Sequence, residues 1–279
     1  MTNFPWVPIT LAGKCFFDAV CVKPEKTLIA LDFDGTLSQI VPDPKDARMY
    51  EGAATALARL APKIAKLAII SGREVDMVRK LGKIDYRAGL ENLTILGQYG
   101  VERYDVATGK YRIPEISPVI AEVEKALVAL LDELGTDVAG VRLENKGRAI
   151  GVHTRQADHP QRSFELLTKP VKNIADRYGV HLEPGRLVLE LRQSNLSKAD
   201  ALQELLNELK PEAVAMVGDD LGDLPAFQLL HQLRSPQLSC CAVVSSSAEQ
   251  SDVAEFADVL CAGPPGVADW LDSLASELT

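Results

Sequence analysis

Apolar residues occur along this chain in short continuous runs that alternate with longer amphipathic stretches. Short apolar runs are typical of strands buried on both faces of a parallel sheet, and a 3.6-residue period is typical of helices packed on such a sheet. Strands are predicted at 27–31, 67–70, 93–96, 213–217, 241–244 and 259–261. Helices are predicted at 52–61, 74–81, 198–209 and 267–278, and also between 218 and 241 and between 244 and 259. This alternation predicts an α/β fold with a doubly wound parallel sheet and right-handed crossovers.

The middle of the chain has a different pattern. Its helices are predicted at 116–134 and 161–178, and its strands at 140–144, 148–153, 180–183 and 186–191. Asn145-Lys146-Gly147 between two alternating runs is a typical hairpin signal. We therefore predict a core domain of residues 1–107 and 194–279, interrupted at 108–193 by a small α+β domain with helices on one face of an antiparallel sheet.

Two carboxylates follow the first predicted strand of the core. Asp32 and Asp34 are spaced i, i+2 and share a face, and Gly35 permits a sharp turn. In open α/β sheets, ligands bind beyond the carboxyl ends of the strands. Converging carboxylates repel each other unless a cation lies between them, and Mg²⁺ is a hard ion that prefers oxygen ligands. An Asp-x-Asp-Gly turn without any ligand is equally common, so the interpretation depends on the other motifs.

Polar residues also occur at the ends of three other predicted elements. Ser71 follows the second strand, where its hydroxyl and nearby N–H groups suit a phosphoryl oxygen beside a helix N-terminus. Lys198 opens a helix, a position at which a cation opposes the helix dipole. Asp219, Asp220 and Asp223 follow the strand at 213–217, and three carboxylates in one place demand a cation. Each feature alone has an ordinary explanation (a turn, a solvated lysine, acidic helix caps), so only their combination indicates a site.

Composition restricts the possible classes of protein. The chain has 279 residues, of which 47% are hydrophobic and 25% are charged, so two domains with substantial cores can form. A net charge of −9 argues against nucleic acid as a partner. No window approaches the roughly 20 apolar residues that span a bilayer. The first residues also lack a basic region followed by an apolar one, so we expect no secretory signal and a cytoplasmic protein.

The cysteines indicate neither a metal site nor a disulfide framework. The chain has five of them, with no Cys-x-x-Cys spacing, at positions 15, 21, 240, 241 and 261. Cys15 and Cys21 could pair, but we predict that all five are buried, reduced thiols, as is usual in the cytoplasm.

The order of the core motifs resembles that of the haloacid dehalogenase superfamily of phosphatases. D-F-D-G-T-L follows the first strand, Ser71 the second, Lys198 precedes the next core strand, and G-D-D-x-x-D follows that strand. The match covers the whole core. It implies a haloacid dehalogenase-like, Rossmann-type core with an inserted, smaller α+β cap domain.

This resemblance implies a two-step phosphoryl transfer. Asp32 would be the nucleophile that takes the phosphoryl group, and Asp34 would protonate the leaving oxygen and then activate water. Mg²⁺ would lie between the Asp32 carboxylate, the Asp34 backbone carbonyl and Asp219. Ser71 and Lys198 would hold the phosphoryl oxygens. The implied metal-binding residues are Asp32, Asp34 and Asp219, with Asp220 and Asp223 as auxiliary metal residues.

The inserted segment narrows the resemblance to the trehalose-6-phosphate phosphatase family. That family has E-D-K-G, then H-Y-R, then a glutamate in a later strand. The corresponding runs are Leu143-Glu144-Asn145-Lys146-Gly147, Val152-His153-Thr154-Arg155 and Leu189-Glu190-Leu191-Arg192. The resemblance implies that Glu144, Lys146 and Glu190 bind hydroxyls of the distal glucose, with Arg155 as a further substrate-binding residue.

Some positions depart from the family pattern or have an ordinary explanation. The chain has Leu221-Gly222 where the family usually has Arg-Thr, Asn145 instead of aspartate, and Tyr99 instead of histidine. None of these changes removes a catalytic group. His153 alternates with apolar neighbours, so it is interpreted as a packed structural histidine.

The leading hypothesis is a monomeric, Mg²⁺-dependent phosphatase that hydrolyses trehalose 6-phosphate and has no nucleic-acid or membrane partner. One alternative is the same chemistry on another sugar phosphate, such as sucrose phosphate or mannosyl-3-phosphoglycerate. Another is a catalytically silent domain that only binds a sugar phosphate. The presence of both Asp32 and Asp34 argues against the silent domain, because binding alone needs neither a nucleophile nor an acid.

Overall fold

The computed structural model describes residues 5–115, 117–185, 187–246 and 253–278. The chain divides into two compact units. The first, Met1–Ile113 with Leu196–Thr279, is called the core domain below, and the second, Pro114–Asn195, is called the inserted domain.

Among the described residues, the core domain contains a nine-stranded sheet. Its strands are β1 (Trp6–Pro8), β2 (Thr27–Leu31), β3 (Lys66–Ile70), β4 (Leu93–Gly97), β5 (Glu102–Asp105), β6 (Lys110–Arg112), β11 (Ala213–Gly218), β12 (Ser239–Ser245) and β13 (Val259–Cys261). Their order across the sheet is β1-β13-β12-β11-β2-β3-β4-β5-β6. The strands from β13 to β4 are parallel to one another. At the edges, β1, β5 and β6 pair antiparallel.

Helices cover both faces of this sheet. They are α1 (Leu11–Val22), α2 (Glu51–Leu60), α3 (Val75–Gly82), α6 (Lys198–Leu209), α7 (Leu224–Leu233) and α8 (Gly263–Glu277). Successive residues of a strand point to opposite faces, so Ile29 packs in a cluster with Leu57 and Trp270, whereas Leu28 packs in another with Leu202 and Phe227. The predicted doubly wound α/β fold is confirmed.

The inserted domain contains a separate four-stranded antiparallel sheet with the order β7-β8-β10-β9. Its elements are β7 (Arg142–Asn145), β8 (Ala149–His153), β9 (His181–Gly185), β10 (Val188–Arg192), α4 (Val119–Leu134) and α5 (Pro160–Tyr178). Ile150, Val152 and Leu189 pack in one cluster with Val123 of α4 and Leu167 of α5. The two helices therefore pack on one face of the sheet.

The boundaries between the two units differ from those predicted. The core domain continues to residue 113 rather than 107, and it resumes at 196 rather than 194. The first difference arises because β5 and β6, which have no clear sequence signal, extend the core sheet beyond β4. The guanidinium of Arg79 in α3 lies 4.2 Å from the ring centre of Tyr104 and 5.2 Å from that of Tyr111, which attaches this hairpin to the core.

The five cysteines differ in their exposure. All five cysteines are free, and Cys240, Cys241 and Cys261 are buried. Cys15 and Cys21 are exposed, so the prediction of burial is wrong for them, because Phe16 and Val20 form the buried side of α1.

The helix predicted between 244 and 259 falls largely on residues 247–252, and the predicted starts at 116 and 186 also lie outside the described residues. No described helix is both long and apolar enough to cross a membrane.

Candidate active site

The candidate residues follow neighbouring strands of the core sheet. Asp32 comes directly after β2, Ser71 after β3 and Asp219 after β11, and these strands lie side by side in the order β11-β2-β3. The pairing continues past the strand end, since the Asp32 N–H donates to the Val217 carbonyl oxygen at 2.8 Å. Because parallel strands end at the same edge of a sheet, the polar residues share that edge.

Lys198 lies between two buried carboxylates. Its Nζ is 2.9 Å from Oδ1 of Asp32 and 2.6 Å from Oδ1 of Asp223, and its side chain is only 4% exposed. The start of α6 is fixed by a capping box, in which Ser197 accepts from the Asp200 N–H and the Asp200 carboxylate accepts from the Ser197 N–H. The cap therefore sets the position of Lys198 at the first residue of the helix.

Asp223 connects Lys198 to the loop that carries Asp219. Its Oδ2 accepts from the N–H of Asp219 at 3.0 Å and from that of Asp220 at 3.2 Å. A Cβ at Gly218 would overlap the Asp223 carboxyl group, so the motif needs glycine there. Both oxygens of Asp223 thus have protein donors, and the residue orients Lys198 and the Asp219 loop together.

Gly35 leaves the space that the Asp219 carboxylate occupies. It has a φ of +71°, and a Cβ there would overlap that carboxylate. The Gly35 carbonyl oxygen accepts from the buried Ser245 hydroxyl at 2.7 Å. The loop after β2 and the loop after β11 are therefore in direct contact.

The charges of this cluster are not balanced. Burial raises the pKa of Asp32 well above its usual value, although Lys198 acts in the opposite direction. Burial, followed by the charges of Asp220 and Asp223, raises the pKa of Asp219 to about 8. Burial opposes the charge of Lys198, but Asp223 and Asp32 outweigh it, so the pKa of Lys198 is well above its usual value. One ammonium faces several carboxylates, so the site has an excess of negative charge.

The donor set fits a divalent cation. One oxygen each of Asp32, Asp219 and Asp223 lie within 4.8 Å of one another, and all three residues are buried. Among the described residues, the carboxylates of Asp34 and Asp220 do not join this group. Oδ1 of Asp220 instead accepts from the Gly222 N–H at 2.8 Å. An all-oxygen set with excess negative charge is the chemistry that Mg²⁺ prefers.

Asp34 forms a bidentate ion pair with Arg73. The Arg73 Nε lies 2.6 Å from Oδ2 of Asp34, and one terminal guanidinium nitrogen lies 2.7 Å from Oδ1. The guanidinium also lies 5.8 Å from the ring centre of Phe33. Arg73 is a site residue that the sequence analysis missed, and its only local signal is its position two residues after Ser71 at the end of β3.

The loop after β3 is supported by a strained turn. The Ser71 hydroxyl accepts from the Arg73 N–H at 3.1 Å. The N–H groups of Gln98 and Tyr99 donate at 2.9 Å to the carbonyl oxygens of Arg73 and Ser71, respectively. Gln98 and Tyr99 have φ values of +48° and +60°, a conformation that costs free energy in non-glycine residues. The first N–H of α3 donates to the Glu102 carboxylate at 2.9 Å, so this helix N-terminus is already bonded to the protein.

The inserted domain brings together three of its four predicted substrate-binding residues. The Lys146 Nζ lies 2.5 Å from Oε2 of Glu190 and 3.8 Å from Oε2 of Glu144. Arg155 lies in the exposed turn after β8. His153, which was interpreted as a packed residue, is 38% exposed, and its Nε2 lies 2.9 Å from Oε2 of Glu144.

The fold and the core motifs define a haloacid dehalogenase-like protein. A solved haloacid dehalogenase-like hydrolase from Bacteroides thetaiotaomicron superimposes with a TM-score of 0.58 and 18% identity, covering 88% of this chain and 98% of that one. The C-terminal domain of a trehalose-6-phosphate phosphatase from C. albicans has a TM-score of 0.72 and 20% identity, covering 97% of this chain and 98% of that one.

A family model described as trehalose-phosphatase matches residues 30–260. The chain belongs to the trehalose-phosphatase family. It is similar to a trehalose-phosphate phosphatase of Mycobacterium marinum, with 30% identity over 257 residues and 90% of this chain. The chain spans 62% of the length of that relative. The expected family and fold are thereby confirmed.

Proposed function

We propose that this chain is a Mg²⁺-dependent phosphatase that hydrolyses trehalose 6-phosphate to trehalose and phosphate. The observation that supports this most strongly is the contact of the Lys198 Nζ with Asp32 at 2.9 Å and Asp223 at 2.6 Å. A carboxylate can approach a phosphate dianion only if nearby cations cancel the repulsion. Family membership supports the same reaction. The cytoplasmic location and the monomeric state remain predictions.

In the first step, an Asp32 carboxylate oxygen attacks phosphorus while the bond to the sugar oxygen breaks. Asp34 donates a proton to that leaving oxygen. In the second step, water attacks the aspartyl phosphate, Asp34 takes a proton from the water, and phosphate and the free Asp32 carboxylate result. The Ser71 hydroxyl and the Lys198 ammonium hold phosphoryl oxygens in both steps.

Asp32 and Asp219 would hold Mg²⁺ together with the Asp34 backbone carbonyl. The ion supplies charge neutralisation for the transferring phosphoryl group when it is bound. Both oxygens of the Asp34 carboxylate accept from the Arg73 guanidinium, at 2.6 Å and 2.7 Å, so Arg73 holds the orientation of this side chain. Because both oxygens face Arg73, transfer of a proton from Asp34 to the leaving oxygen requires that at least one of these two contacts break.

Glu144, Lys146 and Glu190 form a charged group of the type that recognises a sugar. Carboxylates accept hydrogen bonds from hydroxyl groups, and the ammonium donates to them. The contacts of Lys146 with both glutamates support the proposal that these three side chains act together on one sugar ring.

Phosphate release from a panel of sugar phosphates tests the proposed substrate. We expect kcat/KM for trehalose 6-phosphate to exceed that for sucrose 6-phosphate, mannosyl-3-phosphoglycerate and glucose 6-phosphate by on the order of 10²-fold or more. The reason is that an analogue without the matching hydroxyls leaves polar groups of the site unpaired. A higher kcat/KM for sucrose 6-phosphate would contradict the assignment of the sugar, but it would agree with the proposed phosphoryl-transfer reaction. Binding of sugar phosphates without any phosphate release would favour the silent domain.

Removal of the metal should be visible in the stability of the protein. We expect saturating Mg²⁺ to raise the melting temperature of EDTA-treated protein by about 5 °C or more, because the ion binds only the folded state. The Asp219→Asn variant should be at least as stable as the parent in EDTA, because burial raises the pKa of the Asp219 carboxyl to about 8, so above its ordinary pKa this group opposes folding. It should gain little from Mg²⁺. The measurement is differential scanning fluorimetry.

Asp46 provides the matched control for this experiment, because it is an exposed aspartate outside the buried group of Asp32, Asp219 and Asp223. The Asp46→Asn variant should respond to Mg²⁺ as the parent does. An equal Mg²⁺ shift in the Asp219→Asn variant would show that the stabilising ion binds elsewhere.

A further inference from the structure

The sheet of the inserted domain has one apolar and one polar face. Ile150, Val152 and Leu189 pack against α4 and α5 in a single cluster. Because neighbouring residues of a strand point to opposite faces, Glu190 and Gly151 lie on the other face. Among the described residues of this domain, both long helices pack on the apolar side, so neither helix covers the polar face.

Gly151 separates the two candidate sugar-binding carboxylates on this face. It pairs with Glu144 on β7 and with Glu190 on β10, so it is the residue directly between them. Its lack of a side chain leaves room for a ring two residues further along β8. A Cβ at Gly151 would lie 2.7 Å from Nε2 and 3.3 Å from Cδ2 of His153, which shows that the imidazole lies across the glycine.

Each of the two glutamates has its own nitrogen partner. Nε2 of His153 lies 2.9 Å from Oε2 of Glu144, whereas the Lys146 Nζ is 3.8 Å from the same oxygen. Lys146 lies closer to Glu190, at 2.5 Å. His153 is thus placed to hold Glu144 in the way that Lys146 holds Glu190.

We propose that His153 is a positioning residue of the sugar site, and that it fixes the Glu144 carboxylate toward the hydroxyl groups of a pyranose ring. This inference rests on the proposed function. The Nε2–H tautomer donates to Glu144 and leaves Nδ1 as an acceptor. A glutamate on a half-exposed strand loses side-chain entropy when it binds a ligand, and a preformed hydrogen bond lowers that loss.

The contact has little structural value of its own. The side chains of His153 and Glu144 are 38% and 47% exposed, and contacts between exposed polar side chains contribute little to stability. Replacement of His153 should therefore leave the melting temperature within about 2 °C of the parent. If replacement of His153 changes substrate affinity but not stability, the residue positions Glu144 and does not serve only in packing.

The test compares two substitutions at position 153. We expect His153→Leu to raise KM for trehalose 6-phosphate about tenfold with kcat changed by less than about twofold, because a hydrogen bond to a charged group is lost. His153→Gln retains an N–H donor of similar reach and should recover KM to within about threefold of the parent. Both variants should hydrolyse p-nitrophenyl phosphate, which has no sugar, with the kinetics of the parent.

His181 offers a matched control on the same sheet. Its Nε2 lies 3.3 Å from Oε2 of Glu183, and it is 43% exposed, so it repeats the His–Glu contact at another strand. The His181→Leu variant should retain the parent KM. Gly151→Ala should raise KM about as much as His153→Leu, because the added methyl group displaces the imidazole.

A double-mutant cycle shows whether His153 acts through Glu144. In a Glu144→Ala background, His153→Leu should change KM by less than about twofold. Additive effects, an unchanged KM in the His153→Leu protein, or an equal loss with p-nitrophenyl phosphate would each overturn the proposal. If the parent releases phosphate from p-nitrophenyl phosphate but from no sugar phosphate, the proposed function itself fails and this inference with it.

Discussion

Replacement of Asp32 by asparagine should lower the turnover of trehalose 6-phosphate by on the order of 10⁴-fold or more. An amide of nearly the same size cannot form the aspartyl phosphate, because its oxygen is a poor nucleophile. The fold should survive, since Lys198 retains its contact with Asp223 at 2.6 Å. The measurement is phosphate release at saturating substrate and Mg²⁺, with the melting temperature as a check on folding.

A rapid acid quench adds a direct readout of the covalent step. Mass spectrometry of the quenched parent should find a phosphoryl group on the peptide that contains Asp32, and the Asp32→Asn variant should have none. Asp46→Asn serves again as a control and should retain both turnover and the phosphorylated peptide. Mg²⁺-dependent turnover above about 1% of the parent in purified Asp32→Asn protein would rule out the covalent route.

The parts of the fold that the sequence predicted well are those with a strong local signal. The run 27–31 is apolar throughout, and the structure buries all of β2. α6 begins at the predicted residue, Lys198, because Ser197 and Asp200 form a capping box there. Such local signals also predicted the ends of β11, β2, β3 and β4 to within one residue.

The parts that were missed depend on tertiary contacts. β1 and β6 have only three residues each, and all three residues of β6 are exposed. Neither strand is long enough to show an alternation of apolar and polar residues in the sequence. The apolar residues of α1 are not confined to one side of the helix, since they include the exposed Cys15 and Cys21. Its orientation is set by which residues meet the sheet.

The same distinction applies to the candidate site. Asp32 and Lys198 are far apart in sequence, and only the order of the motifs indicated that they meet. The ion pair of Arg73 with Asp34 and the contact of His153 with Glu144 have no local signal, because each joins side chains on different strands or loops. His153 also alternates with apolar neighbours, which favoured packing although its side chain lies on the polar face.

Replacement of Lys198 by methionine should have a large effect on both stability and turnover. It leaves two buried carboxylates, Asp32 and Asp223, without their shared cation. Breaking a buried pair by removal of one partner costs about 3–5 kcal/mol, so the melting temperature should fall by roughly 6–20 °C. Turnover should fall by on the order of 10³-fold or more, because the phosphoryl oxygens lose a fixed positive charge.

A double variant that combines Lys198→Met with Asp223→Asn separates the effect on stability from the effect on turnover. The asparagine oxygen can still accept from the N–H groups of Asp219 and Asp220, and one buried negative charge is removed. We therefore expect the double variant to be more stable than Lys198→Met alone, with a positive coupling in thermal melts, while turnover stays at the low level. If the stability losses were additive, the loss of the ion pair between Lys198 and Asp223 would not be the cause of the destabilisation in Lys198→Met. If turnover returned together with stability, Lys198 would act only by maintaining the fold, and its proposed contact with the phosphoryl group would be wrong.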